Sequence, residues 1–222
     1  MRENGFVRVW DAFVRIAHWL LVAVFFVAFV TEGEPLQPHV IAGYTAGIIV
    51  ILRIVWGFIG SRHARFSNFV KPPRAVLAYT ADHLRGKSPR FLGHSPAGGA
   101  MVVLIILMLA ATVVSGLGTL AEAEGEGPLS PFISRGVAES AVMPAIVSMV
   151  QARERHDGAR DDHHGGDREE GPWAEAHDML AHITFFLALF HVAGVLFTSV
   201  AHRENLIWAM VTGRKRMETE TG

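Results

Sequence analysis

Four long runs of apolar residues stand out in the pattern of hydrophobic and polar positions along the chain. They cover residues 12–30, 40–60, 97–120 and 173–201. Each run is too long for a strand and does not alternate with a period of two, and each approaches the roughly 20 residues that a helix needs to cross a hydrocarbon core. The pattern therefore predicts an all-α membrane protein, with four transmembrane helices forming one bundle and one domain over residues 1–222.

The first run partly resembles a secretory signal peptide, which has a basic start, an apolar centre and a cleavage site of small residues. No A-x-A-like site follows it, and the run contains His18 and Trp19. We therefore interpret residues 12–30 as a retained first helix.

Basic residues are concentrated in the segments that four spans place on one side of a membrane. Residues 61–96 carry many Lys and Arg side chains against a single acid, Asp82, and both ends of the chain are also basic. The positive-inside rule assigns these three segments to the cytoplasm. The acidic connection 121–172 is then expected outside, and both termini inside.

Composition narrows the possible chemistry. The 222 residues have a formal net charge of -1, no Cys and 12 His. Such a charge gives no support for nucleic-acid binding, which favours a basic surface. The lack of Cys excludes disulfides, thiolate metal sites, Cys-ligated iron-sulfur clusters and covalently attached haem. Histidine is therefore the abundant candidate ligand.

Histidines inside the predicted spans are the strongest functional candidates, because an ionisable side chain within a membrane is costly. His177 and His191 lie fourteen residues apart on the fourth span. At about 100° per residue they return to within roughly 40° of the same face, about 21 Å apart along the axis. His182 points about 140° away from His177 by the same geometry, so it is not predicted to join either site.

The direction of each helix pairs these two residues with histidines on other spans. His18 lies near the inner start of the first span, and His39 lies near the outer start of the second. Depth thus pairs His18 with His191 (the inner pair) and His39 with His177 (the outer pair). Separate pairs do not make the four-ligand tetrahedron of a closed zinc site. They fit the axial positions of two haems, so we predict two bis-histidine b haems stacked across the bilayer.

Two arginines extend this interpretation. Arg53 lies fourteen residues after His39 on nearly the same face, about 21 Å deeper and close to the level of the inner pair. We expect it to bind a propionate of the inner haem, because an intramembrane cation needs an anionic or hydrated partner. Arg15, one turn before His18, is a second candidate for the same propionates. The alternative for both is an arginine that reaches the inner interface and its lipid headgroups.

Short motifs near the ends of the predicted spans form a recognisable set. They are Val9-Trp10-Asp11, His18-Trp19, His39 with Gly43-Tyr44, Arg53 with Trp56 to Gly60, Gly93 to Gly99, His191 to Gly194 and His202 to Leu206. Together they resemble the bacterial cytochrome b561 family, which includes the b-type cytochrome subunits of membrane-bound nickel-iron hydrogenases. The resemblance covers nearly the whole chain except residues 121–172.

This resemblance implies a four-helix bundle in the bacterial inner membrane that passes electrons between quinone and a periplasmic redox partner, either a hydrogenase or a cytochrome c. The ligands it implies are His18, His39, His177 and His191, the same four that depth and helical phase select. It implies two b haems, contact with membrane lipid and, at most, a quinone oxidoreductase activity. A homodimer is left open.

The acidic connection departs from the family pattern. Residues 156–170 combine carboxylates with His156, His163 and His164. Two other functions stay open on this ground. One is a membrane metal-ion transporter that captures metal at the loop, and the other is a self-contained reductase of external metal ions or superoxide. A b-type absorption spectrum of the purified protein would exclude a colourless transporter.

Overall fold

The computed structural model describes residues 2–3, 6–32, 36–87, 89, 91–133 and 171–216. Most of the acidic connection predicted at 121–172, including the short apolar segment 137–150 and the histidines His156, His163 and His164, lies outside the described residues.

The described chain is mostly helical. Its helices are α1 (Ala12–Val30), α2 (Leu36–Ile59), α3 (Phe66–Phe69), α4 (Pro73–Leu84), α5 (Pro96–Glu124), α6 (Pro172–Ala201) and α7 (Leu206–Thr212). By length and composition, α1, α2, α5 and α6 are long and apolar enough to cross a membrane. They occur where the four apolar runs predicted them.

The helix ends differ from the predicted spans at proline residues. Helix α2 begins at Leu36 rather than at residue 40, so Pro38 and His39 lie in its first turn. Helices α5 and α6 begin at Pro96 and Pro172, one residue earlier than predicted. Proline is tolerated at these positions because the first backbone N–H groups of a helix have no intrahelical acceptor. These prolines therefore start helices rather than precede them.

Large apolar side chains point outward from the long helices. Phe58 is 69% exposed and Val200 is 78% exposed, and Phe26 and Phe190 are similarly open. Such a surface is unfavourable in water and suits the hydrocarbon of a bilayer.

The chain divides into two compact units. The first unit comprises Met1–Val113 and Leu180–Gly222. In it α1 packs against α2, and three short antiparallel strands, β1 (Arg2–Glu3), β2 (Phe6–Arg8) and β3 (Arg214–Arg216), form a sheet in that order. The backbone N–H of Val9 donates to the carbonyl of Gly213 at 2.9 Å. Segments near both ends of the chain thus meet beside the start of α1.

The second unit, Val114–Met179, contains the end of α5 and the start of α6. The sequence predicts that Gly116 and Gly118 allow close helix approach, and the contacts within this unit confirm it. A Cβ at Gly118 would overlap the ring of Trp173, and one at Gly116 would lie 2.9 Å from the ring of His177. Only glycine fits at these two contacts.

Candidate functional site

The inner pair lies on α1 and α6 within the first unit. His18 and His191 are both half-buried, and their rings are close enough to interact electrostatically. The ring of His18 also packs edge-on against Trp19, with centroids 5.5 Å apart. The two histidines that the sequence paired at the inner depth therefore lie within electrostatic range of each other.

His39, of the outer pair, has a fixed ring orientation. Its Nδ1 lies 2.9 Å from the carbonyl oxygen of Ala28 on α1. A carbonyl only accepts, so Nδ1 carries the proton and donates it. This tautomer leaves the lone pair of Nε2 available to a metal, as is usual for ligating histidines.

His177, the other member of the outer pair, is positioned by α5. Its Nδ1 lies 3.2 Å from the hydroxyl of Ser115, which is only 3% exposed. Gly116 provides the space for the ring. When Nδ1 donates to Ser115, Nε2 is the ring nitrogen that carries the lone pair, as in His39. His39 belongs to the first unit and His177 to the second, so their pairing stays a prediction.

The surroundings of these histidines fit a b-type haem. Imidazole is a common axial ligand of haem iron, and in two of the four rings a partner at Nδ1 orients the ring, as is usual for ligating histidines. One turn after His39, a Cβ at Gly43 would meet nothing within 4 Å. This open space beside His39 would give room for the porphyrin ring of a haem.

The two arginines predicted for the propionates lie in the first unit and have protein contacts of their own. Arg53 places its guanidinium 5.5 Å from the ring centroid of Phe66 and 3.4 Å from the carbonyl oxygen of Ala64. Arg15 donates from Nη1 to the carbonyl of Val211 at 2.6 Å. Its Nε is buried and has no hydrogen-bond partner within the described part of the chain. A role of either arginine at a propionate stays a prediction.

Asp11 organises the end of the first unit, and sequence reasoning cited it only as part of a motif. It caps α1 by accepting from Val14 N at 2.8 Å, and it also accepts from Trp56 Nε1 at 3.1 Å and from Ser61. Burial alone would raise the pKa of Asp11, but these hydrogen bonds and the charge of Arg53 hold it below its usual 3.8. The signal was its position directly before an apolar run, where N-caps occur.

His94 precedes α5, and the sequence predicts for it a turn or a helix start. Ser95 supplies the cap, accepting from the backbone N–H of Gly98 at 3.1 Å. The His94 ring packs between Trp10 and Phe69, at centroid distances of 4.6 Å and 4.5 Å. Its Nδ1 is buried without a hydrogen-bond partner among the described residues. Burial, then the charges of Arg53 and Lys215, lowers the pKa of His94 to about 3.

Three further histidines of the first unit, His182, His83 and His202, pack with other rings. His182 is exposed and meets the ring of Phe29 edge-on at 6.5 Å. His83 and His202 stack on each other at 5.6 Å, and His83 Nε2 lies 3.2 Å from Thr198 Oγ1. The sequence showed no signal for His83, because this contact joins residues more than a hundred positions apart.

Comparisons with known proteins agree with this picture. Residues 9–213 match the family described as prokaryotic cytochrome b561. A protein of Rhodobacter capsulatus named probable Ni/Fe-hydrogenase B-type cytochrome subunit is 24% identical over 99% of this chain and 85% of its own length. Proteins with the same name from Bradyrhizobium diazoefficiens and Azotobacter chroococcum mcd 1 are each 26% identical, over 54% and 57% of this chain and 60% and 65% of their own lengths. No solved structure matches the chain.

The family match extends over almost the whole chain and includes all four long apolar helices. Proteins of this family are multi-pass membrane proteins of electron transport that hold b-type haem. The chain belongs to the prokaryotic cytochrome b561 family.

Proposed function

We propose that this protein is a di-haem b-type cytochrome that carries electrons across the bacterial inner membrane, between the quinone pool and a periplasmic redox partner. The observation that carries the proposal is the proximity of His18 and His191, which lie on two helices long enough to cross a membrane. An apolar helix seldom keeps an ionisable residue without a functional partner.

The inner haem would be held by His18 and His191, and the outer haem by His39 and His177. Along α6 the two ligands are about 21 Å apart, which spans most of a hydrocarbon core of roughly 30 Å. When bound, haem b supplies an iron that takes up and releases one electron. The chain supplies the ligands, orients His39 through Ala28 and His177 through Ser115, and surrounds both sites with apolar side chains.

The names of the relatives guide the choice of partner. All three proteins compared are named as probable subunits of Ni/Fe-hydrogenase, so we propose a hydrogenase as the periplasmic redox partner, with a cytochrome c as the alternative. Quinone would exchange electrons at the other end. Both termini would be cytoplasmic, as the distribution of Lys and Arg predicts. The isolated chain would catalyse no bond chemistry other than quinone oxidation or reduction.

Haem analysis of the purified protein tests the proposal. The pyridine haemochrome of the full chain should give close to two b haems per chain. His191→Ala should remove the inner haem and His39→Ala the outer one. His182→Ala, an exposed histidine on the same helix as His191, is the matched control and should keep both. A colourless protein, or one haem in the unmodified chain, would refute the proposal.

A further inference from the structure

The ring of His94 occupies a closely packed position at the end of the first unit. Its two aromatic neighbours, Trp10 and Phe69, hold it from separate segments. The start of α5 is packed equally tightly, because a Cβ at Gly99 would lie 2.6 Å from the carbonyl oxygen of Phe69. The backbone on either side therefore restricts the movement of His94.

Despite this packing, the Nδ1 atom of His94 is buried with no hydrogen-bond partner in the described ranges. A buried polar atom without a partner is rare in folded proteins, and its usual explanation is a group that the protein chain does not itself provide. The charges nearest to His94 are those of Arg53 and Lys215. A further group beside this ring is therefore expected to be an acceptor with negative charge.

The side chain of Arg15, in the same unit, also has a buried nitrogen without a hydrogen-bond partner among the described residues. This nitrogen is Nε of the guanidinium. A Cβ at Gly213 would lie 3.2 Å from this atom and 2.6 Å from the carbonyl oxygen of Trp10, so the guanidinium lies beside the residue whose ring contacts His94. Arg15 is also one turn before His18 on α1. His94 Nδ1 and Arg15 Nε, the two nitrogens without a hydrogen-bond partner, thus lie on either side of Trp10, just before the part of α1 that carries His18.

The described carboxylates nearest to these groups are already engaged. Asp11 accepts from the backbone of Val14 and from the side chains of Trp56 and Ser61. Glu204 pairs with the buried ammonium of Lys215 at 3.6 Å. Neither carboxylate bonds to His94 or Arg15 among the described residues, so the unpartnered nitrogens of these two side chains can accept an additional anion.

We infer that His94 and Arg15 form a carboxylate-binding site for a propionate of the inner haem, in which His94 is a positioning residue. This inference rests on the proposed function. Arginine forms strong charge-assisted hydrogen bonds with carboxylates, and a neutral imidazole donates one more. A phosphate of an acidic lipid headgroup has the same acceptor chemistry, so the experiment must separate the two sources.

Redox titration of the purified full chain, in lipid nanodiscs, provides the test. His94→Phe keeps an aromatic ring between Trp10 and Phe69 but removes both nitrogens. Loss of the donor leaves the propionate charge less balanced and favours ferric iron. One of the two haems should then have a lower midpoint potential, with about a tenfold change in its oxidised-to-reduced ratio at fixed ambient potential, or ~59 mV for one electron. Haem content should stay at two.

Matched variants identify the cause. Arg15→Gln should shift the same haem in the same direction, and that haem should be the one missing from His191→Ala. His94→Gln, which restores an N–H donor, should recover most of the shift. His83→Phe, an aromatic replacement of a histidine without this surrounding of cations, should leave both potentials unchanged.

Several results would overturn the inference. Unchanged potentials in both His94→Phe and Arg15→Gln would do so, as would a shift confined to the outer haem. If His94→Phe does not fold, His94→Leu, which also lacks both ring nitrogens, and Arg15→Gln decide the question by the same criterion. A shift seen in nanodiscs with phosphatidylglycerol but absent in zwitterionic phosphatidylcholine alone would assign the site to an acidic lipid headgroup and overturn the propionate assignment. A chain without haem would refute the proposed function instead.

Discussion

The two proposed haem sites differ in how the protein holds their ligands. In the outer pair, Nδ1 of His39 lies 2.9 Å from the carbonyl of Ala28, and Nδ1 of His177 lies 3.2 Å from the hydroxyl of Ser115. In the inner pair, the rings of His18 and His191 have no hydrogen-bond partner in the part of the chain that the structure describes. The outer rings are thus oriented by the protein itself, whereas the inner rings depend on packing and on the group they ligate.

The polar side chains of the inner end are arranged around the pair rather than on its rings. His94 lies within electrostatic range of His191, and Arg53 acts on both His94 and Asp11. Hydrogen bonds to ligand rings fix the tautomer and raise ligand basicity, whereas charges near a haem edge change its potential. The comparison implies that mutations near the outer ligands should affect haem retention, and mutations near the inner site should affect potential.

The largest expected effect is that of Gly116→Ala. The added methyl would lie 2.9 Å from Cε1 of His177, a distance that requires the ring to move. The outer haem should be lost or reduced to a small fraction, as measured by pyridine haemochrome, with the inner haem retained. Gly118→Ala is the matched control, because its methyl would crowd the ring of Trp173 and not that of His177. Two haems in Gly116→Ala would show that His177 is not held as a ligand.

A smaller effect is expected from Ser115→Ala, which removes the partner of His177 Nδ1 without adding atoms. Loss of such a partner typically reduces the affinity for a bound metal by about 10-fold to 100-fold. Haem loss to apomyoglobin should therefore be faster for one of the two haems.

Thr112→Val controls for the loss of a hydroxyl on the same helix. Thr112 Oγ1 lies 3.0 Å from Thr184 Oγ1 and contacts none of the four histidines through that bond. Equal haem-loss rates for Ser115→Ala and Thr112→Val would mean that Ser115 does not orient the ligand.

This difference between the two sites was only partly predictable from the sequence. Run length identified the four long helices, because about 20 apolar residues in succession have few other interpretations. Helical phase and depth selected four histidines, of which His18 and His191 lie within electrostatic range of each other. Both arguments use periodicity along one helix, which the sequence contains in full.

The hydrogen-bond and packing partners of these histidines could not be predicted from periodicity along one helix. Ser115 and His177 are 62 positions apart. His39 bonds to a main-chain carbonyl, and because every residue has one, the pattern of side chains does not indicate which carbonyl is the partner. The burial of His94 depends on Trp10 and Phe69, which come from separate segments. Ser115 did carry a weak signal, since a polar residue within an apolar run needs a partner.

A moderate loss of stability is expected from Asp11→Ala at the inner end. The change removes the cap of α1, worth about 1 kcal/mol, and two further side-chain hydrogen bonds of about 1 kcal/mol each, so the melting temperature should fall measurably. Asp11→Asn keeps an N-cap acceptor and should lose less. Both variants should keep two haems, since neither touches a ligand ring.

The pH dependence of this loss follows from the sign of the pKa shift. The pKa of Asp11 is lower in the folded chain than its usual 3.8. Its stabilisation is therefore complete above that value and is lost as the pH falls below it. Melting temperatures of the unmodified chain and Asp11→Ala should differ by a constant amount from pH 5 to pH 8 and converge in stronger acid. A difference that grows on acidification would contradict the assignment.

The smallest effect concerns the charge of the two ends. The sheet at the inner end exposes Arg8, Arg214 and Arg216, whereas the predicted outer connection has six carboxylates against two arginines between 157 and 170. An acidic surface attracts a basic partner over several ångströms and raises its encounter rate, an effect that salt screens.

Reoxidation of the quinol-reduced protein by a basic periplasmic cytochrome should therefore be slower in a variant that lacks 157–170, by about threefold to tenfold at low salt. The variant should also respond less to added salt, and both proteins should be oxidised at equal rates by a small neutral oxidant. Equal rates with the cytochrome at low ionic strength would mean that this connection does not guide the partner, and the charge difference between the ends would then reflect membrane insertion alone.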